Sequence, residues 1–169
     1  GSSSTLVVSV LAAFTHWLKL PLGEYDIAHL AYEIERHDLK YSGGKQDQYA
    51  AAFGGINFME FHNNNKVIVN PLRIRNRLIE EFEYNTILYY TGISRLSSNI
   101  IDAQIKNVED ENKDSIDAMH KLKEQAISIK EALLTNQLDD VGYILDEAWR
   151  NKKKMAKNIS NDEIDAIYN

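Results

Sequence analysis

Near the start of the chain, Leu6, Val7, Val10, Leu11, Phe14 and Leu18 recur at helical spacing behind the hydroxyl run Ser2-Ser3-Ser4-Thr5. The pattern predicts a helix that opens at those hydroxyls and stops before Pro21 and Gly23. A second helix is expected from Glu24 to Asp38, with Ile27, Leu30, Ala31 and Ile34 on one face and Glu33 and Glu35 beside that stripe. The turn Tyr41-Ser42-Gly43-Gly44-Lys45-Gln46-Asp47 leads into Gln48 to Phe53, a short alanine-rich helix that puts Asp47 in a first turn. Gly54-Gly55 ends it, and two β-rich runs, Ile56 to Phe61 and Lys66 to Val69, flank Asn63-Asn64-Asn65 as a hairpin flanks its tip. Thr86 to Tyr90 is continuously apolar and stops at Thr91-Gly92, the pattern of a buried strand. From Ser97 onward the spacing is helical, and Ser160-Asn161-Asp162-Glu163 has the spacing of a capping box opening a last helix.

Punctuation makes the chain lopsided. Seven of its 8 glycines and both prolines fall within the first 92 residues, so the second half should be nearly all helix. The fold class is therefore α+β.

Composition narrows the function. With 44% apolar and 26% charged residues among 169, the chain has the balance of a globular domain, and no apolar run has the ~20 residues that a membrane-spanning helix needs. It reads as cytoplasmic, with no membrane partner. Nineteen basic residues against 25 acidic ones, a net charge of −6, argue against a nucleic-acid surface but leave room for a small anionic ligand. Zero cysteines remove disulfides and thiolate chemistry, and the five histidines show no metal-ligand spacing.

Three places have chemical potential. Small hydroxyl residues at a helix start can present unpaired N–H groups to phosphate and a hydroxyl to phosphate-bound magnesium, or simply cap the helix. Asp47 can polarise a substrate hydroxyl, or sit in a first turn because the helix dipole favours it there. Glu35 can bind magnesium, or be a solvated helix glutamate.

In combination these pieces are more specific. Gly1-Ser2-Ser3-Ser4-Thr5-Leu6 resembles the latter half of the phosphate loop of the GHMP kinases, the superfamily of galactokinase, homoserine kinase, mevalonate kinase and phosphomevalonate kinase. Ala31-Tyr32-Glu33-Ile34-Glu35-Arg36 and Gly43-Gly44-Lys45-Gln46-Asp47-Gln48 resemble that superfamily's acidic helix and catalytic-aspartate turn, in the same order. The longer stretches from Gly43 to Gly55 and from Tyr90 to Ser98 are similar, more narrowly, to the bacterial sugar-kinase branch whose acceptor is a heptose 7-phosphate.

The resemblance implies a GHMP-kinase-like fold in which residues 1–70 are the remainder of the N-terminal ATP-binding region and residues 71–169 begin a mostly helical C-terminal substrate lobe. No counterpart of the family's first and third motifs is visible, so an internal segment of a longer kinase is expected. The implied activity is transfer of the γ-phosphate of ATP to a sugar hydroxyl, foremost the anomeric hydroxyl of heptose 7-phosphate in the synthesis of nucleotide-activated heptose. Other acceptors such as fucose, galactose or mevalonate, or a kinase-like binding module without turnover, are the alternatives.

By position, the family reading gives Gly1, Ser2, Ser3 and Ser4 to the ATP phosphates, Ser3 (or Ser4 in the other register) and Glu35 to Mg2+, and Asp47 to the base. It gives Gly44, Lys45 and Arg95 to the substrate, with Lys45 and Arg95 at the second phosphate on the sugar, where an arginine can pair with two phosphate oxygens at once. The apolar stripes after Ser97 can be buried inside the lobe or against a second copy in a homo-oligomer, and composition does not choose.

Overall fold

The structure, a computed structural model, describes residues 2–91, 97–157 and 159–168. The chain divides into two compact units, Gly1–Leu72 and Arg73–Asn169.

The first unit begins with α1 (Ser2–Leu18), which ends as Lys19 turns left-handed at φ 53° ahead of Pro21. In α2 (Glu24–Glu33), Asp26 Oδ2 accepts from the Gly23 amide at 2.9 Å and so closes the first turn. The helix then widens into a π-helical turn, Ile34–Asp38, where the Leu39 amide reaches back to the Ile34 carbonyl at 2.9 Å. The buried face departs from the expected one, and it is the face that regular spacing draws through Ala28, Ala31 and Glu35 at i, i+3 and i+7. Ala28 and Ala31 are fully buried, Leu30 is exposed, and Glu35, drawn beside the stripe from sequence, points into the interior.

α3 (Gln46–Phe53) ends at Gly54, whose φ of 62° suits a residue without a Cβ. The hairpin follows as β1 (Asn57–Phe61) and β2 (Val67–Pro71), antiparallel with Met59 opposite Val69. Ala28, Tyr49 and Val69 form the core of the unit, with Ala52, Phe53, Met59 and Val67 packed around them. Tyr25 lies edge-on to Phe53 at 4.8 Å and accepts a hydrogen bond from the Val69 amide at 2.9 Å, which fastens the hairpin to α2 and α3. Among the described side chains of α1, Ser4 and Val8 are buried, while Leu6, Val10, Phe14 and Leu18 are exposed.

The second unit contains α4 (Asn76–Tyr84), α5 (Ser97–Glu109), α6 (Lys113–Leu134), α7 (Leu138–Met155) and α8 (Asp162–Tyr168). α6 and α7 form a helical hairpin that reverses at Asn136, φ 64°. Ala118, Met155, Ala156 and Ile159 make its core, with Ile100, Ala103, Leu122 and Trp149 against them. Asn112 caps α6 by accepting from the Ser115 amide at 3.0 Å.

Two expectations need correction, and one helix was not expected. Thr86 to Tyr90 is not a strand: it follows α4 as irregular chain, with Ile87 88% and Leu88 98% exposed. An apolar run becomes a buried strand only when neighbours pair with its backbone, and the ladder among the described residues joins β1 to β2 alone. α4 itself had no sequence assignment. The last helix is capped by Asn161, which accepts from the Ile164 amide at 2.8 Å, and not by a box opened at Ser160, whose hydroxyl instead donates to Asp165.

Candidate active site

Three segments far apart in sequence meet in the first unit through side chains. Ser4, in the first turn of α1, is 2% exposed; Glu35, in the π turn, 1%; Gln48, in α3, 0%. The Ser4 hydroxyl donates to Glu35 Oε1 at 3.1 Å, and Gln48 Nε2 donates to Glu35 Oε2 at 2.5 Å and to Ser4 Oγ at 3.4 Å. Both partners of the carboxylate are neutral. A charge buried among neutral donors is costly, and it becomes favourable when an opposite charge completes it. Each carboxylate oxygen still has a lone pair to give, since a carboxylate offers about four acceptor sites.

The donor set therefore suits magnesium, which takes hard oxygen ligands and typically uses one or two carboxylates together with substrate phosphates. Among the described residues no group of three or more His, Asp or Glu gathers as an all-protein metal cage would need.

Ser3, the first-choice magnesium serine by sequence, is exposed, whereas Ser4 faces Glu35. The backbone of Ser2 to Thr5 is the opening turn of α1, whose leading amides have no helical acceptor. Gly1 lies outside the described residues, as does Arg95.

The glycine turn has a different builder. Arg36 donates from Nε and Nη2 to the Gly44 carbonyl at 3.3 and 3.1 Å, and from Nη1 to the Tyr41 carbonyl at 3.4 Å. A Cβ on Gly43 would come within 2.6 Å of that guanidinium, so the glycine leaves room for the arginine that braces the turn. Lys45 follows at the N-cap of α3, with Nζ 2.7 Å from Asn65 Oδ1 at the hairpin tip and 4.6 Å from the centre of the Tyr32 ring. An ammonium has three hydrogens, so this lysine retains donors. Asp47, half-buried in the first turn of α3, immediately precedes Gln48, which ties that helix to Glu35. Beneath α3 the Tyr49 phenol is pushed above its ordinary range, first by burial and then by neighbouring Tyr25, and so stays neutral in the core.

Structure thus brings Ser4 and Glu35 together, sets Gly44, Lys45 and Asp47 along one turn and one helix start, and adds two residues that sequence reasoning quoted without a role, Arg36 and Gln48.

Residues 1–55 match the family model described as GHMP kinases N terminal domain. Over 168 residues the chain is 54% identical to the D-glycero-alpha-D-manno-heptose 7-phosphate kinase of Campylobacter jejuni, a match that takes in 99% of this chain and 49% of that protein. It is 28% identical over 170 residues to the bifunctional fucokinase/GDP-fucose pyrophosphorylase of Arabidopsis thaliana, covering 99% of this chain and 16% of that one. The crystal structure of a D-glycero-D-manno-heptose 1-phosphate kinase from Bacteroides thetaiotaomicron resembles it with a TM-score of 0.73 and 49% identity, over 90% of this chain and 43% of the other. The chain spans about half the length of the Campylobacter relative. Among the described residues no helix is long and apolar enough to cross a membrane.

Proposed function

From a chain whose residues 1–55 match the GHMP kinase N-terminal domain, we infer that the natural protein carrying it is an ATP-dependent sugar kinase that phosphorylates the anomeric hydroxyl of a heptose 7-phosphate. The observation that carries this reading is the buried joint of Ser4, Glu35 and Gln48, because it couples the family's serine turn, acidic helix and aspartate turn through side chains alone. The heptose relatives are named for different phosphates, position 7 in one and position 1 in the other. An enzyme that adds a phosphate at carbon 1 of a sugar already phosphorylated at carbon 7 has chemistry in common with both names.

Residue by residue, the leading amides of α1 receive the ATP phosphates, helped by the positive end of the helix dipole. Glu35 and the hydroxyl of Ser4, rather than Ser3, hold magnesium, since Ser4 is the serine that reaches the carboxylate. Magnesium when bound neutralises the phosphate oxygens. Asp47 accepts the proton of the attacking sugar hydroxyl, a modest contribution beside alignment and charge neutralisation. The braced turn at Gly44 presents Lys45 to the phosphate already on the sugar, and the sequence resemblance alone gives Arg95 the same role. ATP as donor and nucleotide-activated heptose synthesis suit a cytoplasmic enzyme.

Fucose is the second reading, favoured by the fucokinase match along 99% of the chain. The test is phosphate transfer from Mg-ATP by the natural protein to heptose 7-phosphate, mannose, fucose, galactose and mevalonate, with Asp47→Asn as control. Turnover confined to heptose 7-phosphate, and reduced by about 10²-fold or more in Asp47→Asn, is expected. Preference for an unphosphorylated sugar would remove the roles of Lys45 and Arg95, and an unimpaired Asp47→Asn would remove the base.

A further inference from the structure

Among the described residues of the first unit, Gln48 is the buried polar residue to which the sugar-kinase reading gives no task. Glutamine is mostly a surface residue, yet here the side chain is completely enclosed. Both hydrogens of its amide point into the site, one to Glu35 Oε2 and one to Ser4 Oγ. Its Oε1 is buried with no hydrogen-bond partner among the described residues. A leucine or methionine would fill the same space without an unpaired buried acceptor, so packing does not explain the amide.

The amide's effect lies in what it holds. The terminal torsion of a glutamate is broad, and a carboxylate touched on one oxygen only can turn about it. Glu35 is touched on both, by the Ser4 hydroxyl from α1 and by the Gln48 amide from α3, which fixes the plane of the carboxylate. Gln48 also follows Asp47 directly, so one short helix carries the proposed base and the clamp on the proposed cation ligand.

We propose that Gln48 is a positioning residue for the cation site: its amide sets the orientation of the Glu35 carboxylate, and through it the affinity for the divalent cation. This rests on the sugar-kinase reading of the same site. Groups that orient a metal ligand through hydrogen bonds change metal affinity by about 10- to 100-fold when replaced.

The test uses the natural protein that carries this sequence, as wild type, Gln48→Met and Gln48→Asn. Mn2+ stands in for Mg2+, with unbound Mn2+ read by electron paramagnetic resonance and ADP held below the protein concentration; ADP binding in chelator is measured alongside. Gln48→Met is expected to weaken Mn2+ binding by about 10- to 100-fold while ADP alone binds as in wild type. Gln48→Asn keeps an amide but draws it back by one methylene, is expected to weaken Mn2+ binding too, and decides the matter if Gln48→Met does not fold. Mn2+ affinity within about twofold of wild type in a folded variant would reduce Gln48 to packing and overturn the proposal. A wild type that takes up no Mn2+ with ADP would overturn the kinase reading itself, and the role of Gln48 with it.

Discussion

The two units bury polar side chains for different reasons. In the second, the Ser115 hydroxyl and the Asn107 amide both donate to the Met155 carbonyl, at 3.0 and 2.6 Å, where α7 ends and its last carbonyls lack helical partners. Those side chains serve the backbone. In the first, Ser4, Glu35 and Gln48 serve one another, and the one that is a carboxyl is matched with neutral groups only. Burial that completes a helix end is what folding requires. Burial that concentrates acceptors without a counter-charge costs stability, and it persists where a ligand completes it.

That contrast can be broken first at Glu35. Replacing it by glutamine keeps the shape and removes the buried charge, so turnover of the natural protein should fall by about 10²-fold or more while the thermal midpoint stays level or rises. A variant that melts early but turns over normally would make Glu35 a structural residue like Ser115. The converse experiment is Ser115→Ala, which leaves the Met155 carbonyl with Asn107 alone. It should cost about 1 kcal/mol in urea unfolding and leave turnover unchanged.

The smallest effect is expected at α8. Asp165 accepts from Ser160 and from Lys153, at 2.8 and 3.1 Å, and these hydrogen bonds hold its carboxyl below the ordinary aspartate range. A folded-state value below the unfolded one means the contribution is present above about pH 4 and fades as pH falls through the lowered value. Tryptophan fluorescence followed from pH 5 downward should report it, because Trp149 lies against Tyr168 at 5.9 Å. In Asp165→Asn that pH dependence should vanish.

How far the sequence disclosed the fold follows from what each signal measures. Helical spacing found α1, α2 and the helices after Ser97, alanine-rich composition found α3, and the asparagine tip found the hairpin, because these are local patterns; α4 was missed. Thr86 to Tyr90 failed because a strand needs a partner, and a run of apolar residues carries no information about one. Glu35 was legible as a member of an acidic helix but not as a buried residue, since the larger apolar side chains Ile27, Leu30 and Ile34 mark a face beside the one that Ala28, Ala31 and Glu35 bury, and a carboxylate carries no hydrophobic signal. The serine register was open for a similar reason: three consecutive serines differ only in direction, which the contact between Ser4 and Glu35 supplies. Arg36 and Gln48 were visible only inside motifs. Their tasks, bracing a carbonyl eight residues on and clamping a carboxylate thirteen residues back, exist only in three dimensions.

The central claim is that the joint of Ser4, Glu35 and Gln48 is where a divalent cation meets ATP. Crystals of the natural protein soaked with Mn2+ and ADP, examined by anomalous scattering, test it directly. The account predicts a Mn2+ peak at coordination distance from a Glu35 carboxylate oxygen, with the nucleotide phosphates at the first turn of α1. A peak elsewhere, with Glu35 still enclosed by Ser4 and Gln48 alone, would contradict it.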